Sequence, residues 1–135
     1  MEQKPAYEKL KFYQDICELR KKVFLITERF GGKYVRLVSQ MRDAARSAKQ
    51  NIKEGYKKLS PGEFGHSITI SRGSLEELSG DIEDCLDDGL ISQAEFEELS
   101  KILKSADFLA GRYLVSLYKM ERDGKWKTPR GKNKK

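Results

Sequence analysis

The chain has 135 residues, a mass of 15.5 kDa and a formal net charge of +6, with 36% charged and 38% hydrophobic residues and three prolines. That length fits one domain with a core of its own. The composition excludes collagenous and mucin-like chains, and no apolar run approaches the roughly 20 residues that span a bilayer. The first residues, Met-Glu-Gln-Lys-Pro-Ala-Tyr-Glu-Lys, lack the apolar stretch of a secretory signal, so the expected location is cytoplasmic, away from membranes.

Four stretches repeat apolar residues at three- and four-residue steps, the spacing of one helix face. The first runs through Phe12, Ile16, Leu19, Val23, Ile26 and Phe30. Gly31-Gly32 then breaks the pattern. The second runs through Tyr34, Val38, Met41, Ala45, Ala48 and Ile52, widened by Leu37 and Ala44, with Gly55 near its end. Ser60-Pro61-Gly62-Glu63 reads as a capping box with proline at the first helical position. It opens a third helix through Phe64, Ile68, Ser71, Leu75, Leu78, Ile82 and Cys85, which Asp88-Gly89 closes. Ser92-Gln93-Ala94-Glu95 is a second box, ahead of Leu99, Leu103, Ala106, Ala110, Tyr113, Leu117 and Met120. No segment alternates with period two. Short links between helices of about 22 to 28 residues predict an all-α, up-down-up-down antiparallel four-helix bundle. The bundle is assigned to residues 9–123, after an extension at 1–8 and before a basic, disordered tail at 124–135.

No catalytic constellation can be assembled. His66 is the only histidine, which weakens any Ser-His or Cys-His couple. Glu63-Phe64-Gly65-His66 has the Glu-x-x-His spacing of di-iron bundles, but those sites need two copies plus two more carboxylates. No metal or cofactor is expected, and the chain reads as a non-enzyme. Cys17 and Cys85 suit buried apolar fillers, with redox sensing as the alternative. The acidic run Asp81, Glu83, Asp84, Asp87 and Asp88 lacks a calcium-loop pattern and reads as a solvated or protein-facing surface.

Charge is segregated. Residues 31–58 hold eight basic and two acidic groups, whereas residues 60–91 hold one basic and eight acidic groups. On a helical wheel Arg42, Arg46, Lys49, Lys53 and Lys57 fall within about 80° of one another, a row about 22 Å long beside the apolar face. An antiparallel turn near Leu59-Ser60 makes partner numbers total about 118 or 119. Glu76, Glu77 and Asp81 then lie level with Arg36 to Arg42 and balance that half. The half from Arg46 to Lys58 faces only Glu63 as an acid, with His66 and Arg72 added at the same end. This half is expected to stay electropositive and to bind polyanions such as RNA. The alternative is an ordinary solvated face. The tail supplies Lys125, Trp126, Lys127, Arg130, Lys132, Lys134 and Lys135, a composition suited to phosphate contact and base stacking, or simply to a solubilising end. No motif that reads base sequence is present. Two functions remain in play: a nucleic-acid-binding protein, and an adaptor whose cationic face docks an acidic protein.

The segments Gln40-Met41-Arg42-Asp43-Ala44-Ala45-Arg46-Ser47, Asn51-Ile52-Lys53-Glu54-Gly55-Tyr56 and Ser71-Arg72-Gly73-Ser74-Leu75-Glu76-Glu77-Leu78 resemble a bacterial four-helix-bundle family over about residues 10–120. Its members include proteins encoded in intervening sequences of large-subunit ribosomal RNA genes. They also include the accessory variability determinant (Avd) proteins of diversity-generating retroelements. The resemblance implies a homopentameric barrel with a basic surface. For the accessory branch it implies binding to RNA and to RNA–DNA hybrid, and association with a reverse transcriptase during mutagenic cDNA synthesis. Ala48-Lys49 stands where Ile-Pro is common in the family, and Ser71 replaces a usual alanine. The added lysine charge favours the nucleic-acid-binding branch. Gly73, inside a helix where glycine costs about 1 kcal/mol relative to alanine, invites close approach of another helix, one from a neighbouring subunit included.

Overall fold

In a computed structural model, residues 6–58 and 60–125 are described, and every α or 3-10 element among them is helical. The elements are a 3-10 turn at Ala6–Lys9, α1 (Lys11–Thr27), a 3-10 turn at Gly32–Tyr34, α2 (Val35–Tyr56), α3 (Pro61–Asp87) and α4 (Gln93–Arg122). Contacts run α1–α2, α2–α3, α3–α4 and α1–α4, a closed square of neighbours, with α2–α3 the most extensive. This is the predicted four-helix bundle.

The apolar steps become its core. Ile16, Leu19, Met41, Ile52, Phe64, Ile68, Leu75, Leu78, Ile82, Leu99 and Leu117 are almost completely buried. Truncating any one of the large aliphatic chains to alanine costs about 2 to 5 kcal/mol in such a setting. At one end an aromatic chain of contacts joins all four helices: Tyr7 to Tyr13 and Tyr56, Tyr56 to Phe64, Phe64 to Tyr113, and Tyr113 to Phe12, with centroids 5.1 to 6.0 Å apart. Tyr7 is buried there, so the fold begins inside the segment assigned as an extension. Its packing against two helices is the reason.

The helix ends follow their local chemistry. Ser92 and Glu95 form a complete capping box. Ser60 caps α3 only from one side, accepting from the Glu63 N–H at 3.2 Å. The Gly62 N–H instead donates to Glu121 Oε2 of α4 at 3.2 Å, so the tertiary partner takes over a first-turn donor. α3 stops at Gly89, whose φ of +73° places it in the left-handed region. The Leu90 N–H then reaches the Cys85 carbonyl at 2.8 Å, as a Schellman cap requires. α1 ends at Thr27 and not at Phe30 as its spacing predicts. The Thr27 hydroxyl donates to the Val23 carbonyl at 2.7 Å, inside its own last turn, and Phe30 packs with Tyr34 in the link.

The α2–α3 interface is close and partly polar. Ser71 Oγ donates to the Ala48 carbonyl at 2.7 Å, and Ser74 and Ser47 share a hydroxyl contact at 3.0 Å. These pairs keep the expected antiparallel register to within a turn. Gly55 makes that proximity possible, since a Cβ on it would fall 2.3 Å from the Ser67 Cβ. Cys85 is fully buried beside Met41, and burial raises its thiol to about 11, which suits a filler and disfavours a thiolate sensor.

Candidate nucleic-acid interface

α2 carries the row predicted to meet polyanions, and the bundle divides it into two kinds of side chain. Arg46, Lys53, Lys57 and Lys58 are exposed, and Lys49 is half-buried between α1 and α2. Among the described residues none of these five forms an ion pair or a side-chain hydrogen bond. From Arg46 to Lys57 they extend about 16 Å along the helix axis. The acids lining the same grooves are Asp43, in that of Arg46 and Lys49, and Glu8 and Glu18, in a second one that Lys49 also lines.

Arg42 belongs to the other kind. Its Nε donates to Thr27 Oγ1 at 3.0 Å, and its Nη2 reaches the Phe24 carbonyl at 3.2 Å and Glu28 Oε1 at 2.8 Å. Its guanidinium also lies 4.1 Å from the centroid of the Phe24 ring. α1 has no basic residue in its last turn, so Arg42 supplies from α2 the cation that its terminal carbonyls and dipole favour. The balance expected from the α3 acids therefore comes from α1 instead. Asp81, one of those acids, is 7% exposed and holds Gln40, whose Nε2 donates to Oδ1 at 2.8 Å, while Oδ2 has no partner among the described residues. Burial pushes the Asp81 carboxyl above its usual range, with Asp84 and Glu77 adding to the effect against the Gln40 hydrogen bond.

Arg72 does not extend the row. It crosses to α4, where Nε and Nη2 meet Asp107 at 2.8 and 3.3 Å and the guanidinium packs against Gly111. The Asp107 hydrogen bond raises its pKa. Position along the chain placed Arg72 at the right level of the rod, but the rotation of α3 turns it to a different face. His66 and Glu63 are both exposed in the first turns of α3. Lys125 is exposed at the end of the described chain, and Trp126, Lys127 and Arg130 lie outside the described residues.

The bundle adds one cation that the wheel of α2 alone could not reveal. Arg20 of α1 lines the same groove as Arg46 and Lys49, together with Phe24, Val35 and Val38. Arg20 and Phe24 stand four residues apart, just off the α1 core seam, which is the signal that was available. The result is an open groove between α1 and α2 in which Phe24, Val35 and Val38 lie with Arg20 from α1 and Arg42, Arg46 and Lys49 from α2, alongside the acid Asp43.

α3 and α4 border a second open groove, lined by Gly73, Phe108, Gly111 and Val115. Phe108 and Val115 are 60% and 56% exposed, and nothing approaches the Gly73 position. No helix among the described residues is long and apolar enough to cross a membrane. No curated protein matches the sequence significantly. The family model described as 23S rRNA-intervening sequence protein matches residues 8–109, which takes in α1, α2, α3 and half of α4. The chain belongs to that family.

Proposed function

We propose that this protein is a non-catalytic, oligomeric RNA-binding protein whose contact surface is the α2 row Arg46, Lys49, Lys53, Lys57 and Lys58. The observation that carries this reading is the absence of carboxylate partners for all five among the described residues. Cations left in water along one line attract phosphates without regard to sequence. The family description says where such proteins are encoded and names no ligand, so RNA as the polyanion rests on the charge of the row. RNA–DNA hybrid is a second ligand of the same chemistry.

The finer assignment is a homopentamer of bundles that accompanies a reverse transcriptase in a diversity-generating retroelement. Lys49, standing where proline is common in the resembling family, supports that branch by adding charge to the row. The exposed Phe108 and Val115 on α3–α4 offer one side of a subunit contact, and a closed ring needs such a patch to meet a different one on its neighbour. The open Gly73 lets a neighbouring helix approach there.

Fluorescence anisotropy of labelled RNA with pure protein, beside nuclease-treated pull-downs, tests the reading. Direct RNA binding at physiological salt is expected. A partner complex that survives nuclease, with no RNA binding by the pure protein, would identify an adaptor instead. Light scattering is expected to report five subunits, and a monomer would remove the ring.

A further inference from the structure

Resting on the RNA-binding reading, we infer that the α1–α2 groove takes single-stranded nucleic acid and stacks a base on Phe24. Three observations converge on this. Phe24 is 44% exposed although it lies between two helices, and it lines the groove. Its ring is held from one side by the Arg42 guanidinium, 4.1 Å from the centroid, and Arg42 is itself fixed by Thr27, Glu28 and the Phe24 carbonyl. The ring is thus a preorganised platform, and the ordering cost of a mobile aromatic does not arise on binding. Arg20 from α1 and Arg46 and Lys49 from α2 line the same groove, with Asp43 as the acid among them, and are the cations available to phosphates there.

Cations that track a backbone beside an aromatic face are the elements of sequence-tolerant single-strand binding. A duplex keeps its base faces stacked and cannot offer one to Phe24. Charge argues against a second copy of the same groove as the occupant, because two such grooves would oppose their cations. The other exposed apolar surface, at Phe108 and Val115, lines a groove whose cations Arg72, Lys104 and Arg112 stand among the acids Glu76 and Asp107, with Arg72 paired to Asp107.

The experiment compares wild type, Phe24→Leu and Lys49→Glu/Lys53→Glu on a single-stranded RNA, a duplex RNA of equal length, and the same single strand carrying abasic sites. Leucine keeps apolar volume in the groove but removes the ring face. Phe24→Leu is expected to weaken single-strand binding by about 5- to 100-fold, with the salt slope unchanged and duplex binding unaltered. Wild-type protein is expected to bind the abasic strand more weakly than the intact one, a readout that does not depend on any variant folding. Equal affinity for abasic and intact strands would overturn the inference. So would a Phe24→Leu protein that binds as wild type while the lysine reversals weaken binding, although RNA binding by the row would then stand. Failure of both variants to change affinity would remove the row and the stacking together. A Phe24→Leu protein that changes its subunit number but not its affinity per subunit would assign the groove to self-association and overturn the inference.

Discussion

The α1–α4 and α1–α2 sides of the bundle both carry basic residues, and they use them in opposite ways. On the first, Lys22 pairs with Glu98, Arg29 holds Glu95 through two nitrogens, and Lys11 and the Ser105 hydroxyl both serve Asp15. On the second, only Arg42 is paired, with Glu28, while Arg20, Arg46, Lys49 and Lys53 have no such partners among the described residues. Surface pairs contribute little to stability, so the difference concerns the field each side presents. Paired charges cancel within a few ångströms, whereas an unpaired row projects its field into solvent over about a Debye length, roughly 8 Å at physiological salt.

The sharpest way to break this contrast is to reverse charge on each side. Lys49→Glu/Lys53→Glu is expected to lower RNA affinity roughly tenfold or more at physiological salt, across all sequences alike. Lys22→Glu, on the paired side, is expected to leave affinity within about twofold, because Glu98 already cancels that cation. Equal losses from both sides, measured by anisotropy, would dissolve the distinction.

Arg42 gives the next effect. Although it lies on the α2 row by sequence, it closes the end of α1, so Arg42→Ala is expected to cost about 1 to 3 kcal/mol in urea unfolding. Lys53→Ala, on the unpaired part of the row, is expected to change stability by less than about 0.5 kcal/mol.

Asp81→Asn follows. The carboxylate is buried with one oxygen unpartnered among the described residues and its pKa is raised, so ionisation costs the folded state more than the unfolded one. The variant is expected to be about 1 kcal/mol more stable than wild type at pH 7. That advantage shrinks as pH falls through the carboxylate range and the wild-type side chain takes up its proton. Thermal melts at pH 7 and pH 4 check the sign.

The smallest effect lies at Glu95. The hydrogen bonds from Arg29 and then from Ser92 hold its carboxyl down at about 2. Its contribution is fully present above the ordinary glutamate value of about 4.5 and is lost as pH falls toward 2. Glu95→Gln is expected to be slightly less stable than wild type at pH 7 and equal to it near pH 2, measured by urea midpoints.

The bundle was legible because packing imposes one simple rule, an apolar residue every three or four positions, and all seven α3 positions predicted from it are buried. α1 broke from its spacing at Thr27 because a hydroxyl bonding back into its own turn and an arginine from another helix decide where its carbonyls end. The second of these is a tertiary fact. The row was legible in part for a similar reason. A wheel places Arg46, Lys49 and Lys53 together because they share one helix. Whether a cation is free depends on the carboxylates that neighbouring helices bring to it. Arg72 was misjudged on that count and the balance of Arg42 was assigned to the wrong helix, since Asp107 and Glu28 are 35 and 14 residues away in sequence. Arg20 was missed because it reaches the groove from α1.

A salt titration of single-stranded RNA binding to the wild-type protein weighs the central claim most directly. With four to five phosphates neutralised by the row, log affinity is expected to fall against log salt with a slope of about −3 to −4. The slope should drop by about 1.4 when Lys49 and Lys53 are both neutralised. A wild-type slope near zero, or one that the two substitutions leave unchanged, would contradict the account.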